Sequence, residues 1–122
     1  MDKKRILIIE DEGDQTILIQ MRLETMGYEV LTAAKGQIGL DLATKEQPDL
    51  VILDIMLPDL DGFIVCQKLK ESPETKHIPI FIITAMGTDD LERKCKSCGA
   101  DHMIRKPYDA KDLLAGVRKL VG

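Results

Sequence analysis

The chain has no tryptophan, and only two tyrosines and two phenylalanines stand among its 122 residues. So few aromatics leave little to hold a flavin ring. The first loop, Glu12-Gly13-Asp14, is acidic rather than a cradle for phosphate, which weighs against a flavin mononucleotide carrier. An excess of positive charge is also missing: the formal net charge is −4, whereas a surface that grips nucleic acid directly needs clustered Lys and Arg. No apolar run approaches membrane-spanning length, and repeats, low-complexity stretches and linkers are absent. Cysteine is scarce. Cys66, Cys95 and Cys98 fall inside helical patterns with no secretory signal ahead of them, which predicts reduced thiols in a cytoplasmic setting. Cys95 and Cys98 have CxxC spacing but no second ligand pair, so they read as packing residues rather than a zinc or redox motif. His77 and His102 have no partner at ligand spacing and read as local. The length suits one domain over residues 1–122.

What the chain does have is a habit of ending buried strands in charge. Leu50-Val51-Ile52-Leu53 runs into Asp54, Ile6-Leu7-Ile8-Ile9 into Glu10-Asp11, and His102-Met103-Ile104-Arg105 into Lys106-Pro107. Such endings are costly in a small domain unless they meet at a site.

The periodicities alternate. After the first strand, Asp14 reads as the N-cap of a helix with Ile19, Leu23 and Met26 on its apolar face and Gly27 at its stop. Tyr28 to Thr32 reads as a mixed strand, Gln37 to Thr44 as a weaker helix that ends before Pro48, and Leu50 to Leu53 as the third strand. Phe63 to Lys70 is helical, Ile80 to Ile83 the fourth strand, and Asp89 to Cys98 a polar helix closed by Gly99. Met103 lies in the fifth strand, and Asp109 with Asp112 opens a last helix carrying Leu113, Val117 and Leu120. Five βα units predict an α/β fold with a parallel sheet and helices on both faces. In such a sheet ligands bind beyond the carboxyl ends of the strands, where Glu10, Asp11, Asp54, Thr84 and Lys106 fall. The six methionines are expected mostly in the core, with Met56 and Met86 set apart because they flank this edge.

The order and spacing of Ile8-Ile9-Glu10-Asp11, Asp49 through Pro58 with Asp61-Gly62, Thr84-Ala85, Gly99-Ala100 and Lys106-Pro107 resemble the receiver domain of bacterial two-component response regulators, the CheY-like family, over essentially the whole chain. The resemblance implies a flavodoxin-like (βα)5 fold with strand order 2-1-3-4-5, an order that general fold rules illustrate with CheY itself. It also implies that Asp54 takes a phosphoryl group from a sensor histidine kinase or phosphotransfer protein and that partner affinity then changes. That chemistry crowds anionic oxygens and implies Mg²⁺. The implied ligands are Asp11, Asp54 and the Met56 backbone carbonyl, with Glu10, which replaces the more common Asp, acting through water. Lys106 would pair with the phosphoryl oxygens, Thr84 would donate its hydroxyl, and the Lys106–Pro107 bond would be cis. The protein is expected to catalyse only its own phosphoryl transfer and dephosphorylation, not to act as an enzyme on a separate substrate.

Further departures qualify the resemblance. Met103 stands where the family usually has Tyr or Phe, so the place of an aromatic switch coupled to Thr84 is taken by a flexible, apolar side chain with no hydroxyl. Met56 and Met86 occupy the positions that border the approach of hydrolytic water. Receivers joined to winged-helix domains commonly pair across α4-β5-α5 through Lys-Glu and Asp-Arg contacts. Here Glu92 would face Asp112 and His102 would face Gly116, so a monomer is expected. The chain fits either a stand-alone receiver acting on a downstream effector or a module cut from a longer protein with its own output domain. The alternative, a Mg²⁺-dependent aspartyl-phosphate phosphatase or phosphotransferase of the haloacid dehalogenase type, wants a second Asp where Met56 stands.

Overall fold

The computed structural model describes residues 3–121. Strands and helices alternate: β1 (Arg5–Ile9), α1 (Gly13–Thr25), β2 (Glu29–Ala33), α2 (Gly36–Glu46), β3 (Leu50–Leu53), α3 (Gly62–Glu71), β4 (Ile80–Thr84), α4 (Leu91–Ser97), β5 (His102–Arg105) and α5 (Ala110–Val121). The strands form one sheet in the order β2-β1-β3-β4-β5, every neighbouring pair parallel. This is the flavodoxin-like arrangement expected.

Burial explains which apolar runs became which strands. The continuous runs of β1, β3 and β4 are central and covered on both faces, while the mixed β2 and β5 take the two edges. Side chains alternate along each strand, so one run feeds two cores. Leu7, Ile9, Val51, Leu53, Ile80 and Ile82 pack beneath α2, α3 and α4, with Val65, Cys66, Leu69, Leu91 and Cys95. Ile6, Ile8, Leu50, Ile52, Phe81 and Ile83 face α1 and α5, meeting Ile19, Leu23, Leu113 and Val117. Each large side chain removed from water in these layers contributes about 1.5–3 kcal/mol before conformational entropy is counted.

Several sequence expectations need correction. Glu12, not Asp14, is the N-cap of α1: its backbone is extended, its carbonyl accepts the Thr16 N–H at 3.0 Å, and Asp14 already lies in the first turn. Met26 is not a core residue. It follows the last turn of α1, just before the chain reverses at Gly27, and is exposed. Met21 and Met56 are exposed as well, so the methionines are not mostly core. The fourth helix is shorter than its polar pattern suggested, because Asp89 and Asp90 stay in the preceding turn and Cys98 caps the end. Leu120 is only half-buried, at the outer margin of α5.

The loop from β3 to α3 folds back across the site, and Gly62 permits it. A Cβ there would lie 2.3 Å from the Ile55 Cα and 2.8 Å from the Asp54 carbonyl oxygen, so a side chain has no room. Asp61 caps α3 by accepting the Phe63 N–H at 2.8 Å.

Candidate functional site

Register brings the charged residues together. Ile9 pairs with Leu53, and the ladder continues one residue past both strands: Asp54 N–H donates to the Ile9 carbonyl at 2.9 Å and Glu10 N–H to Ala33 at 3.0 Å. Glu10 and Asp54 therefore stand side by side. On the other flank Lys106 N–H donates to the Thr84 carbonyl at 2.9 Å, which fixes Lys106 beside the end of β4. The Lys106–Pro107 peptide is cis.

From there the lysine reaches both carboxylates. Its Nζ lies 2.6 Å from Glu10 Oε2 and 3.0 Å from Asp54 Oδ2, and the three side chains are 12%, 3% and 5% exposed. The remaining oxygens are also engaged: Asp54 Oδ1 accepts the Met56 N–H at 3.0 Å, and Glu10 Oε1 accepts the Thr16 hydroxyl at 3.0 Å. Thr84 is fully buried at the same edge, where its Oγ1 accepts the Met86 N–H at 3.2 Å. The network thus joins Glu10, Asp54 and Lys106, with Asp11 exposed beyond it and Thr84 to one side.

The electrostatics of the pair are unequal. Burial pushes the Glu10 carboxyl above its ordinary value, against the hydrogen bond and positive charge of Lys106 and the hydroxyl of Thr16. Burial pulls Lys106 down, but hydrogen bonds and charge from Glu10 and Asp54 outweigh it and leave the ammonium above its ordinary value. The two directions agree once the charges are counted. One lysine is shared by two buried carboxylates, so the lysine is held firmly ionised while Glu10 is under-compensated.

That shortage bears on a metal. Glu10, Asp11 and Asp54 set three carboxyl groups against one ammonium, so the side-chain donors at this edge other than the lysine are all oxygen. Among the described residues no three His, Cys, Asp or Glu side chains form a metal-holding group. Mg²⁺ does not require one, since it takes one or two carboxylates and completes its octahedron with waters and phosphate oxygens. The edge fits such an ion.

Met103 and Met86 are partly buried against the core beneath α3 and α4, whereas the Met56 side chain is 58% exposed and its backbone bridges to Asp61. Two neighbours of the site went unrecognised in the sequence. Thr16, one turn into α1, offers no pattern that marks it. Tyr108, half-buried just after Lys106-Pro107, is one of only four aromatics, and that scarcity is the signal that marks it. Burial and the nearby Glu10 carboxylate raise its phenol. Lys106 and Tyr108 also border a cavity of about 420 Å³ that extends along α1 past Leu18 to Arg22.

Comparison with known proteins gives this edge its context. The family model of the response regulator receiver domain matches residues 6–118. The DNA-binding dual master transcriptional regulator RpaA of Synechocystis is 43% identical over 96% of this chain and 48% of its own length. The chain therefore spans about half of that curated relative. The BeF3-activated N-terminal receiver domain of Klebsiella pneumoniae RstA superimposes with a TM-score of 0.90 at 30% identity, covering 97% of this chain and 98% of that one. The receiver domain of the sensor histidine kinase PA1611 of Pseudomonas aeruginosa, solved with a magnesium ion coordinated in its active site cleft, gives 0.90 at 24% identity over 99% of both chains, a likeness of fold. With the family matched along nearly its whole length, the chain belongs to the response regulator receiver domains of two-component signalling.

Proposed function

We propose that Asp54 is the phosphoacceptor of a two-component switch and that residues 1–122 form one receiver unit. The supporting observation is the position of the Asp54 carboxylate, nearly buried between the Lys106 ammonium and the Met56 N–H at the end of a central strand. A carboxylate oxygen of Asp54 attacks the phosphorus of a phosphohistidine on a sensor kinase or phosphotransfer protein. The P–N bond breaks, an acyl-phosphate P–O bond forms, and the departing imidazole nitrogen takes a proton from solvent. Lys106, already beside Asp54, passes to a phosphoryl oxygen as that oxygen arrives. Thr84 donates its hydroxyl to another, giving up its contact with the Met86 N–H and drawing on the loop after β4. Asp11, Asp54 and the Met56 carbonyl, with Glu10 through water, would hold Mg²⁺, whose charge offsets that of the phosphoryl oxygens. Met103, against the same core layer as Met86, fills the space that the loop vacates or enters.

The receiver changes its affinity for a downstream effector or an attached output domain, and it carries out its own phosphorylation and dephosphorylation chemistry. It makes no direct contact with nucleic acid and works as a monomer in the cytoplasm. No helix among the described residues is long and apolar enough to cross a membrane. The test is phosphorylation by acetyl phosphate with Mg²⁺, followed by intact mass. One phosphoryl group on the parent and none on Asp54→Asn is expected. Label that survives on the variant would overturn the assignment, and equal labelling in EDTA would remove the metal from it.

A further inference from the structure

All three cysteines of the chain gather where α3 lies against α4, outside the charged edge. Cys66 on α3 is fully buried, Cys95 sits inside α4 at 3% exposure, and Cys98 at the end of α4 is 7% exposed. All are free thiols. The sequence pairs Cys95 with Cys98 by spacing, but the folded chain pairs them otherwise. Cys66 Sγ donates to the Cys98 carbonyl at 3.3 Å, which sets the Cys66 thiol against residue 98. Cys98 Sγ in turn donates to the Cys95 carbonyl at 3.1 Å, so the 95–98 contact is thiol to backbone, not thiol to thiol.

Access separates the three further. Cys98 borders a cavity of about 330 Å³ with Asp61, Phe63, Gln67, Lys94 and Ser97, while Cys95 borders a different one toward β5. Cys66 borders neither. Reactivity follows the same order, because the thiolate is the nucleophile. The Cys66 hydrogen bond, joined by the backbone N–H groups of Ala100 and Cys98 itself, brings the Cys98 thiol down to about 7, and burial takes Cys95 up to about 11. Cys66, hydrogen-bonded toward Cys98 and buried, is pushed far up.

We propose that Cys98 and Cys66 form an oxidant-sensitive dithiol, with Cys98 reacting first with hydrogen peroxide from the α3–α4 cavity and Cys66 closing a disulfide that ties α3 to the end of α4. The Cys98 thiolate attacks one peroxide oxygen, the O–O bond breaks, and the departing hydroxide takes a proton to become water, leaving Cys98 as the sulfenic acid. Cys66 then gives up its proton, its sulfur attacks the Cys98 sulfur, the S–O bond breaks, and a second water leaves. Two thiols are oxidised by two electrons in all, and one peroxide becomes two waters. Neither step touches Glu10, Asp54 or Lys106, so the dithiol stands whether or not Asp54 accepts phosphate.

The test treats the folded protein with hydrogen peroxide, alkylates what remains free, and maps the peptides. A Cys66–Cys98 cross-link with Cys95 alkylated is expected, and the same treatment in urea should lose that preference in favour of the nearby Cys95–Cys98 pair. With Cys66→Ser, whose fold is checked by circular dichroism, dimedone should trap the sulfenic acid on Cys98. Should that variant fail to fold, the parent's peptide map decides. Three free thiols at a peroxide dose that oxidises the urea-unfolded chain, or a cross-link through Cys95 in the folded state, would overturn the proposal.

Discussion

Lys106 holds Glu10 and Asp54 apart as much as it holds them together. Its Nζ is bonded to Glu10 at 2.6 Å and to Asp54 at 3.0 Å, with no other cation in the network among the described residues. Removing it leaves two nearly buried carboxylates facing each other. Lys106→Met should therefore destabilise the fold by about 3 kcal/mol at pH 7 in EDTA, the usual scale for breaking a buried ion pair. Urea midpoints measure it. The Lys106 share of stability is complete below the ordinary lysine value of 10.5 and fades only as pH climbs through its raised one, so it is intact at neutrality. The deficit should shrink on acidification, and earlier than an ordinary carboxylate would allow, because Glu10 protonates above 4.5. A variant as stable as the parent at pH 7 would show that the triad contributes nothing to the fold.

His102 makes a separate acid-sensitive element at the edge strand. Its ring lies 5.0 Å from that of Phe81, and burial together with the charge of Lys119 lowers its pKa below 6.5. The folded state then resists protonation more than the unfolded chain does. Stability from this group is present above 6.5 and declines as pH falls toward the lowered value. His102→Gln should flatten that part of the stability curve, read as thermal midpoints between pH 7 and 5. An unchanged slope would count against the burial argument.

Gly62 sets the shape of the loop that carries Met56. With a would-be Cβ pressed against the backbone of Ile55, Gly62→Ala has no flexible side chain to displace. It should cost about 2–3 kcal/mol, the upper range for overpacking, and it should weaken phosphorylation of Asp54 by shifting the Met56 N–H that bonds to it. Midpoint and labelling are both measurable, and a neutral result on the midpoint would mean that the loop moves freely.

The proposed monomer is tested through the packing of Gly116 and the acids beside it. Gly116 is buried where α5 crosses Phe81 and His102, and a Cβ there would come within 2.5 Å of the Phe81 ring. An arginine in that place has its root occupied. Glu92 and Asp112 remain exposed acids on α4 and α5. Light scattering with and without beryllofluoride should give one mass, that of the monomer. An activated dimer that dissociates on mutation within α4 or α5 would contradict this, whereas one formed through another face would leave the argument intact.

Much of the fold was legible because burial on both faces writes itself as unbroken apolar runs. Leu50 to Leu53 is β3 as read, and β1 and β4 each extend by one residue, to Arg5 and to Thr84. Helix ends were less legible. Asp14 looks like a cap by type, but the chain leaves β1 so directly that Glu12 takes the position without any side-chain bond. Glu10, Asp54 and Lys106 were readable as charges closing strands, and register alone then makes them neighbours. Thr16 was not, since its role depends on how α1 rotates against Glu10, which no local pattern records. Met26 and Met21 misled because methionine is apolar by type and tolerant of exposure.

Met56 and Met86 set the last expectation. Hydrolysis of an aspartyl phosphate needs a water in line with the phosphorus, and neither thioether can orient one by hydrogen bonding. The Met56 side chain is 58% exposed while its own N–H donates to Asp54, and Met86 follows Thr84 by two residues with its side chain against the core. Met56→Asn with Met86→Glu should therefore shorten the phosphate lifetime about tenfold, which needs a barrier lower by only about 1.4 kcal/mol. Phosphate release is timed after the donor is removed, in Mg²⁺, for parent and double variant. Equal rates, with circular dichroism and Mg²⁺ affinity unchanged, would show that the two methionines do not govern access of water to the phosphorus.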